Sequence, residues 1–124
     1  EWIGPTVLSL PAARYQSGAL FVEGDASAAS YFSALATLHG GTVTLTNLDA
    51  TTVQGDYAFC DVMESLGSSV ERQGLTRITG PRQLKPLPQI DMQEMPDVAL
   101  TLIAMSPILA KPKKDRTGIS NANP

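Results

Sequence analysis

Three aspartates, Asp25, Asp56 and Asp97, each stand directly after a glycine or proline, and each opens a stretch of apolar residues at helical spacing. An aspartate at an N-cap accepts a free backbone N–H and complements the positive helix end, so each is expected to contribute about 1 kcal/mol as a cap. The first stretch carries Ala28, Tyr31, Phe32, Leu35 and Leu38 and stops at His39-Gly40-Gly41. The second carries Phe59, Val62, Met63 and Leu66 and closes at Gly67. The third, from about Asp97 to Ala110, is apolar nearly all round, which predicts a deeply buried helix. Pro107 lies inside it and predicts a kink or an early end there.

Strands fill the intervals. Ala19-Leu20-Phe21-Val22 is a short apolar run that predicts a buried strand, and Thr42 to Leu48 alternates in the manner of another. Ser69 to Gln73 and Leu75 to Thr79 flank Gly74 and predict a tight hairpin. The order is strand, helix, strand, helix, strand, strand over residues 20–80, and a second copy begins near Gln89. The first 18 residues, rich in Pro, Gly and small polar residues, have the look of a connection arriving from elsewhere. A chain of 124 residues holds about one and a half such units, which is expected of a fragment of a larger α+β domain.

Composition narrows the function classes. With 43% hydrophobic residues the chain has the apolar content to form a core, unlike a disordered tail. No apolar run reaches the roughly 18 residues of a membrane span, and the first residues do not resemble a basic-then-apolar signal peptide. A net charge of −3 argues against a nucleic-acid partner. The balance is uneven, because Lys111, Lys113, Lys114 and Arg116 cluster near the C-terminus, where a solvated end is expected. One cysteine, Cys60, permits no internal disulfide and suits a reducing compartment. Its place beside Phe59 and Val62 predicts a small buried side chain rather than a nucleophile. One cysteine and one histidine cannot build a metal site of the usual spacing, so no metal or cofactor is expected. His39, at a helix end before two glycines, is expected to complement the dipole there. No phosphate-binding glycine loop or dinucleotide fingerprint occurs.

Three sequence words go further. Val22-Glu23-Gly24-Asp25-Ala26-Ser27-Ala28-Ala29-Ser30-Tyr31-Phe32 closely resembles the V-E-G-D-A-S-S-A-S-Y-F block of the EPSP (5-enolpyruvylshikimate-3-phosphate) synthases. Gln54-Gly55-Asp56 with Phe59 and Gly67 is similar to that family's Q-G-D-x-x-F-x-x-V-x-x-x-x-G block. Met95-Pro96-Asp97-Val98-Ala99 with Thr101 resembles its M-P-D-x-A-x-T block. The resemblance runs from about Tyr15 to Ala110. Leu84-Lys85-Pro86-Leu87-Pro88, Asp91-Met92, Thr117-Gly118-Ile119 and Asn121 further resemble the fungal form, where the synthase is one domain of a pentafunctional arom polypeptide.

The resemblance implies a two-domain enzyme built from βαβαββ units, an inside-out α/β barrel with helices inside and sheets outside. Residues 1–19 would close one domain and cross over; residues 20–124 would begin the return into the other. The implied reaction moves an enolpyruvyl group from phosphoenolpyruvate to the 5-hydroxyl of shikimate 3-phosphate, by addition and elimination and without a metal. Asp97 matches the family carboxylate and would be catalytic, while Glu23, Asp25 and Asp56 would be interdomain or structural residues. Substrates and the remainder of the same enzyme chain are the implied partners, in the cytoplasm, or in a plastid for a plant form. The family's cation-bearing R-V-K-E block is expected just past Asn121, where this chain departs from the pattern, so the 124-residue polypeptide alone is expected to be inactive. Two alternatives stand beside this: the related transferase acting on a UDP-amino sugar, which commonly uses a loop cysteine, and a non-catalytic packing module.

Overall fold

The computed structural model describes residues 1–110. The basic residues Lys111, Lys113, Lys114 and Arg116, and the fungal-like Thr117-Gly118-Ile119 and Asn121, lie outside the described residues. Two short strands, β1 (Trp2–Gly4) and β2 (Val7–Leu8), pair antiparallel around Pro5-Thr6, so the opening segment carries a small ribbon that its irregular pattern did not predict. Helix α1 (Ala26–His39) follows, then β3 (Thr42–Leu45). A 3-10 turn (Gly55–Ala58) leads directly into α2 (Phe59–Ser65), and β4 (Ser69–Glu71) and β5 (Thr76–Thr79) form the expected hairpin. A second 3-10 turn (Pro96–Val98) leads into α3 (Ala99–Leu109).

The sheet order is β3-β5-β4, all antiparallel, with Ile78 of β5 opposite Val43 on one side and Val70 on the other. Alternation along β5 buries Thr76 and Ile78 and exposes Arg77 and Thr79, so one face is covered. Helices α1 and α2 cover it, and α3 packs on α1. The core lies between the helices: Ala34 of α1, Phe59, Val62 and Met63 of α2, then Leu66, Met95, Val98 and Met105. Gly67, at φ +103°, ends α2 by letting Ser68 N–H reach Met63 O (3.0 Å) and its own N–H reach Glu64 O (2.9 Å). Two otherwise orphaned carbonyls are satisfied in this Schellman turn.

Hydroxyl pairs set how α1 sits. Ser30 Oγ lies 2.9 Å from Thr101 Oγ1 of α3, and Thr37 Oγ1 lies 2.8 Å from Ser68 Oγ beyond α2. Small residues face inward on α1 (Ala26, Ser30, Ser33, Ala34, Ala36, Thr37) and allow close approach. The large apolar residues expected on its buried side, Tyr31, Phe32 and Leu35, are instead 57–63% exposed. Helix α3 departs from expectation in the same way. Thr101 and Met105 are buried while Leu100, Ile103 and Ile108 are exposed, because α3 meets its neighbours along one side only.

Other expectations are corrected. Leu20, Phe21 and Val22 form no strand and are 74–86% exposed. Among the described residues no strand lies alongside to take their backbone groups, and the first such bond is Gly24 N–H to Asn47 O (2.8 Å). Pro107 neither ends α3 at once nor leaves its partner idle. The Ile103 carbonyl, deprived of an N–H by the proline, accepts the Ser106 hydroxyl at 2.7 Å, and the helix runs on to Leu109.

Candidate functional site

The three sequence words meet around the N-terminal end of α1. Asp25 is the expected N-cap: its backbone is extended and its Oδ1 accepts Ala28 N–H at 3.1 Å. The other two aspartates are not caps. Asp56 sits inside the first 3-10 turn, whose N-cap is Gln54, and accepts a hydrogen bond from the Ser27 hydroxyl of α1. Asp97 sits inside the second 3-10 turn, whose N-cap is Met95 with no side-chain capping bond. Both turns begin one residue before their aspartate, at a glycine and a proline, so the carboxylate is carried past the capping position.

Gln54, which the sequence reading treated only as part of a motif, makes the most contacts here. Its Oε1 accepts Ala26 N–H (2.8 Å), and its Nε2 donates to Glu23 Oε1 (2.9 Å) and to Gly24 O (2.7 Å). The reach of a glutamine standing just before a glycine turn was the available signal. Glu23, Asp25 and Asp56 are thus tied, through Gln54, the Ala28 N–H and the Ser27 hydroxyl, to the first turn of α1 and the segment entering it.

Asp97 is presented by packing. Met95 and Val98 are buried in the helical core on either side of it, leaving Pro96 and Asp97 exposed. The turn packs against α1 and the Gly55–Ala58 turn, and Thr101, one helical turn on, holds α3 to Ser30. Among the described residues the Asp97 carboxylate takes no hydrogen bond or ion pair.

The space beneath α1, lined by Ala26, Ser30, Ser33, Asp56, Tyr57 and Cys60, has a volume of about 10 Å³. That is room for one water at most, so this space does not hold a substrate-sized molecule. Cys60 is buried, as expected, and burial pushes its thiol up to about 11. It lies on α2, so it lacks the exposure and lowered pKa of a loop nucleophile. Burial also raises the Tyr57 phenol, which lies 2.7 Å from the Thr76 hydroxyl. Arg72 is committed to Asp61 (2.6 Å) and Glu64 (2.8 Å), and Arg77 to Glu71 (3.6 Å), all away from the turns. Among the described residues no group of three His, Cys, Asp or Glu side chains could hold a metal ion, and no helix is long and apolar enough to cross a membrane.

Comparison with known proteins agrees with the three words. The chain is 46% identical over 90 residues to the 3-phosphoshikimate 1-carboxyvinyltransferase of Sulfurovum sp. (strain NBC37-1), covering 73% of this chain and 21% of that protein. It is 43% identical over 101 residues to the chloroplastic enzyme of that name from Solanum lycopersicum (75% and 19%), and 39% over 100 residues to that of Nostoc punctiforme (80% and 23%). The chain therefore spans about a fifth of the length of these curated relatives. The sequence model of the EPSP synthase (3-phosphoshikimate 1-carboxyvinyltransferase) family matches residues 5–123, and with these relatives it shows that the chain belongs to that family.

Proposed function

We propose that this chain is part of an enzyme that transfers the enolpyruvyl group of phosphoenolpyruvate to the 5-hydroxyl of shikimate 3-phosphate. Asp97 is its proton-handling group: the carboxylate accepts a hydrogen bond from the hydroxyl and takes its proton as the oxygen adds to the enol carbon. The addition also protonates the methylene carbon of phosphoenolpyruvate, and loss of a proton from that carbon together with phosphate then regenerates the double bond. The observation that carries this reading is the placement of Asp97, exposed on a turn whose neighbours Met95 and Val98 are anchored in the core. A general base needs that combination of a fixed backbone and a carboxylate free to meet substrate.

Residues 1–19 belong, in this reading, to the end of one domain and the crossover, and residues 20–124 to the domain that follows. Residues 20–80 are read as one unit of the βαβαββ kind, of which the helix, strand, helix, strand, strand part is formed here and the first strand is not, and residues 89–124 are assigned to the next. The outward apolar side chains of α1 and α3 suit helices that face the inside of an inside-out barrel. Glu23, Asp25 and Asp56 are structural groups of the domain junction, as their bonds to Gln54, Ala28 and Ser27 favour. Leu84-Lys85-Pro86-Leu87-Pro88 and Asp91-Met92 favour a parent of the fungal arom type, which would be cytoplasmic, with a plastid location for a plant form. The cations that grip two phosphates are assigned to the rest of the parent, where the family's R-V-K-E block is expected, and Arg72 and Arg77 are paired on the hairpin.

The test is Asp97→Asn in the full-length parent. Loss of a positioned general base lowers kcat by about 10²–10⁴-fold, while an exposed substitution of this kind changes stability by no more than about 0.5 kcal/mol. Unchanged turnover would remove Asp97 from the mechanism.

A further inference from the structure

We propose that Gln54 is a positioning residue for the site, a clasp that ties the segment arriving at α1 to the turns that carry Asp56 and support Asp97. This rests on the reading of Asp97 above. One side-chain amide engages three groups from the arriving chain: the carboxylate of Glu23, the carbonyl of Gly24 and the N–H of Ala26. Its two amide protons and its oxygen are all used, which fixes the side chain's orientation without any choice of flip.

Gly24 is held from the opposite side as well. Its N–H donates to Asn47 O (2.8 Å), and a Cβ on it would lie 2.8 Å from Asn47 Oδ1. Both backbone polar groups of one residue are therefore fixed by two later loops. Just beyond Gln54, a Cβ on Gly55 would lie 2.7 Å from the Glu94 carbonyl oxygen, so this backbone touches the segment leading into the Pro96–Val98 turn. Leu20, Phe21 and Val22 are exposed, Glu23 and Gly24 are half-buried, and none forms a strand, so the clasp, not a sheet, sets the direction of this segment. A shift of Gln54 moves the arriving segment on one side and the support of the Asp97 turn on the other.

The experiment uses the full-length parent carrying Q54E, and the exchanged pair E23Q/Q54E. In Q54E the new carboxylate still accepts Ala26 N–H but faces the Glu23 carboxylate and the Gly24 carbonyl without a proton to offer either. In E23Q/Q54E the amide and the carboxylate trade places at constant net charge, which restores the link between positions 23 and 54 but not the bond to Gly24. Loss of one or two hydrogen bonds to charged or backbone groups corresponds to roughly a tenfold fall in kcat/KM for Q54E. The exchanged pair is expected to recover about half of that fall on a logarithmic scale.

Backbone amide exchange is followed in the same proteins and does not depend on turnover. The Gly24 amide, which rests on Asn47 O while Gln54 holds the carbonyl of the same residue, exchanges about tenfold faster in Q54E and slows again in E23Q/Q54E. If the parent shows no enolpyruvyl transfer, the function proposed above fails, and amide exchange alone decides the clasp. Unchanged kcat/KM and exchange in Q54E, or a loss that E23Q/Q54E does not relieve, would overturn the role of Gln54.

Discussion

The hydroxyl pair between α1 and α3 supports a quantitative prediction, because proton counting settles who donates. Ser30 Oγ has one proton and gives it to Ser27 O at 2.7 Å. At 2.9 Å, Thr101 must therefore donate to Ser30. Both residues are buried, at 2% and 6% exposure, so neither hydroxyl can turn to water. Ser30→Ala leaves the Thr101 proton without an acceptor, and a stranded buried donor costs about 2 kcal/mol. Thr101→Val keeps the shape and leaves Ser30 still donating to Ser27, so it costs about 1 kcal/mol.

The double variant S30A/T101V replaces both polar groups with apolar ones of similar shape and is expected to cost about 0.5 kcal/mol. The second substitution therefore restores stability lost by the first. Urea unfolding of the full-length parent and its three variants, with the slope m held constant across the set, reads this as midpoints in the order S30A lowest, T101V next, double variant highest of the three. Single effects that add within about 0.5 kcal/mol would show the pair to be uncoupled and refute the argument. So would a cost for S30A below about 0.5 kcal/mol, which means that Thr101 has turned back to its own helix.

Gly80 tests the close packing of β5 against α1: a Cβ there would lie 2.0 Å from Ala36 O and 3.0 Å from Gly40 Cα, so Gly80→Ala is expected to cost about 3 kcal/mol in the same unfolding assay, and a cost under about 1 kcal/mol would show that the helix end yields. Cys60 carries a pH signature. Burial raises its folded pKa from 9.0 to about 11, so the neutral thiol's contribution is intact below pH 9 and is lost as pH rises toward 11. The protein is expected to lose about 2 kcal/mol over that window, a step absent from Cys60→Ala, and identical pH profiles for the two would contradict it. Native Cys60 is also expected to resist alkylation at pH 8 until the chain is unfolded.

Much of the fold was legible because its signals are local. The helix stop at His39-Gly40, the Schellman turn at Gly67 and the hairpin around Gly74 each depend on a few adjacent residues, and each lies where the pattern put it. Burial was less legible because it depends on what a face meets. Tyr31, Phe32 and Leu35 have helical spacing, but α1 is drawn to its neighbours by the small side, through Ser30, Ala34, Ala36 and Thr37. The same limit applies to Leu20, Phe21 and Val22: an apolar run becomes a strand only where another strand satisfies its backbone. In the candidate site, the word Gln54-Gly55-Asp56 did not disclose what Gln54 holds, since a glutamine's value lies in partners some 30 positions away.

The three similar aspartates end in three different situations, and the difference favours the proposed division between structural and chemical use. Asp25 spends its carboxylate on a backbone N–H and Asp56 on the Ser27 hydroxyl, so each is tied to the helix it serves. The turn at Asp97 is held by other means, through Met95, Val98 and the Ser30–Thr101 pair. A carboxylate that carries no share of its own turn's stability can change protonation during a reaction without loosening the backbone that aims it. Had Asp97 been the cap that its sequence suggests, each proton transfer would weaken the helix end by about 1 kcal/mol at the moment when geometry matters most. The shift from N-cap to an interior position of a 3-10 turn, enforced by Pro96 at the start of that turn, is therefore a condition of the proposed chemistry.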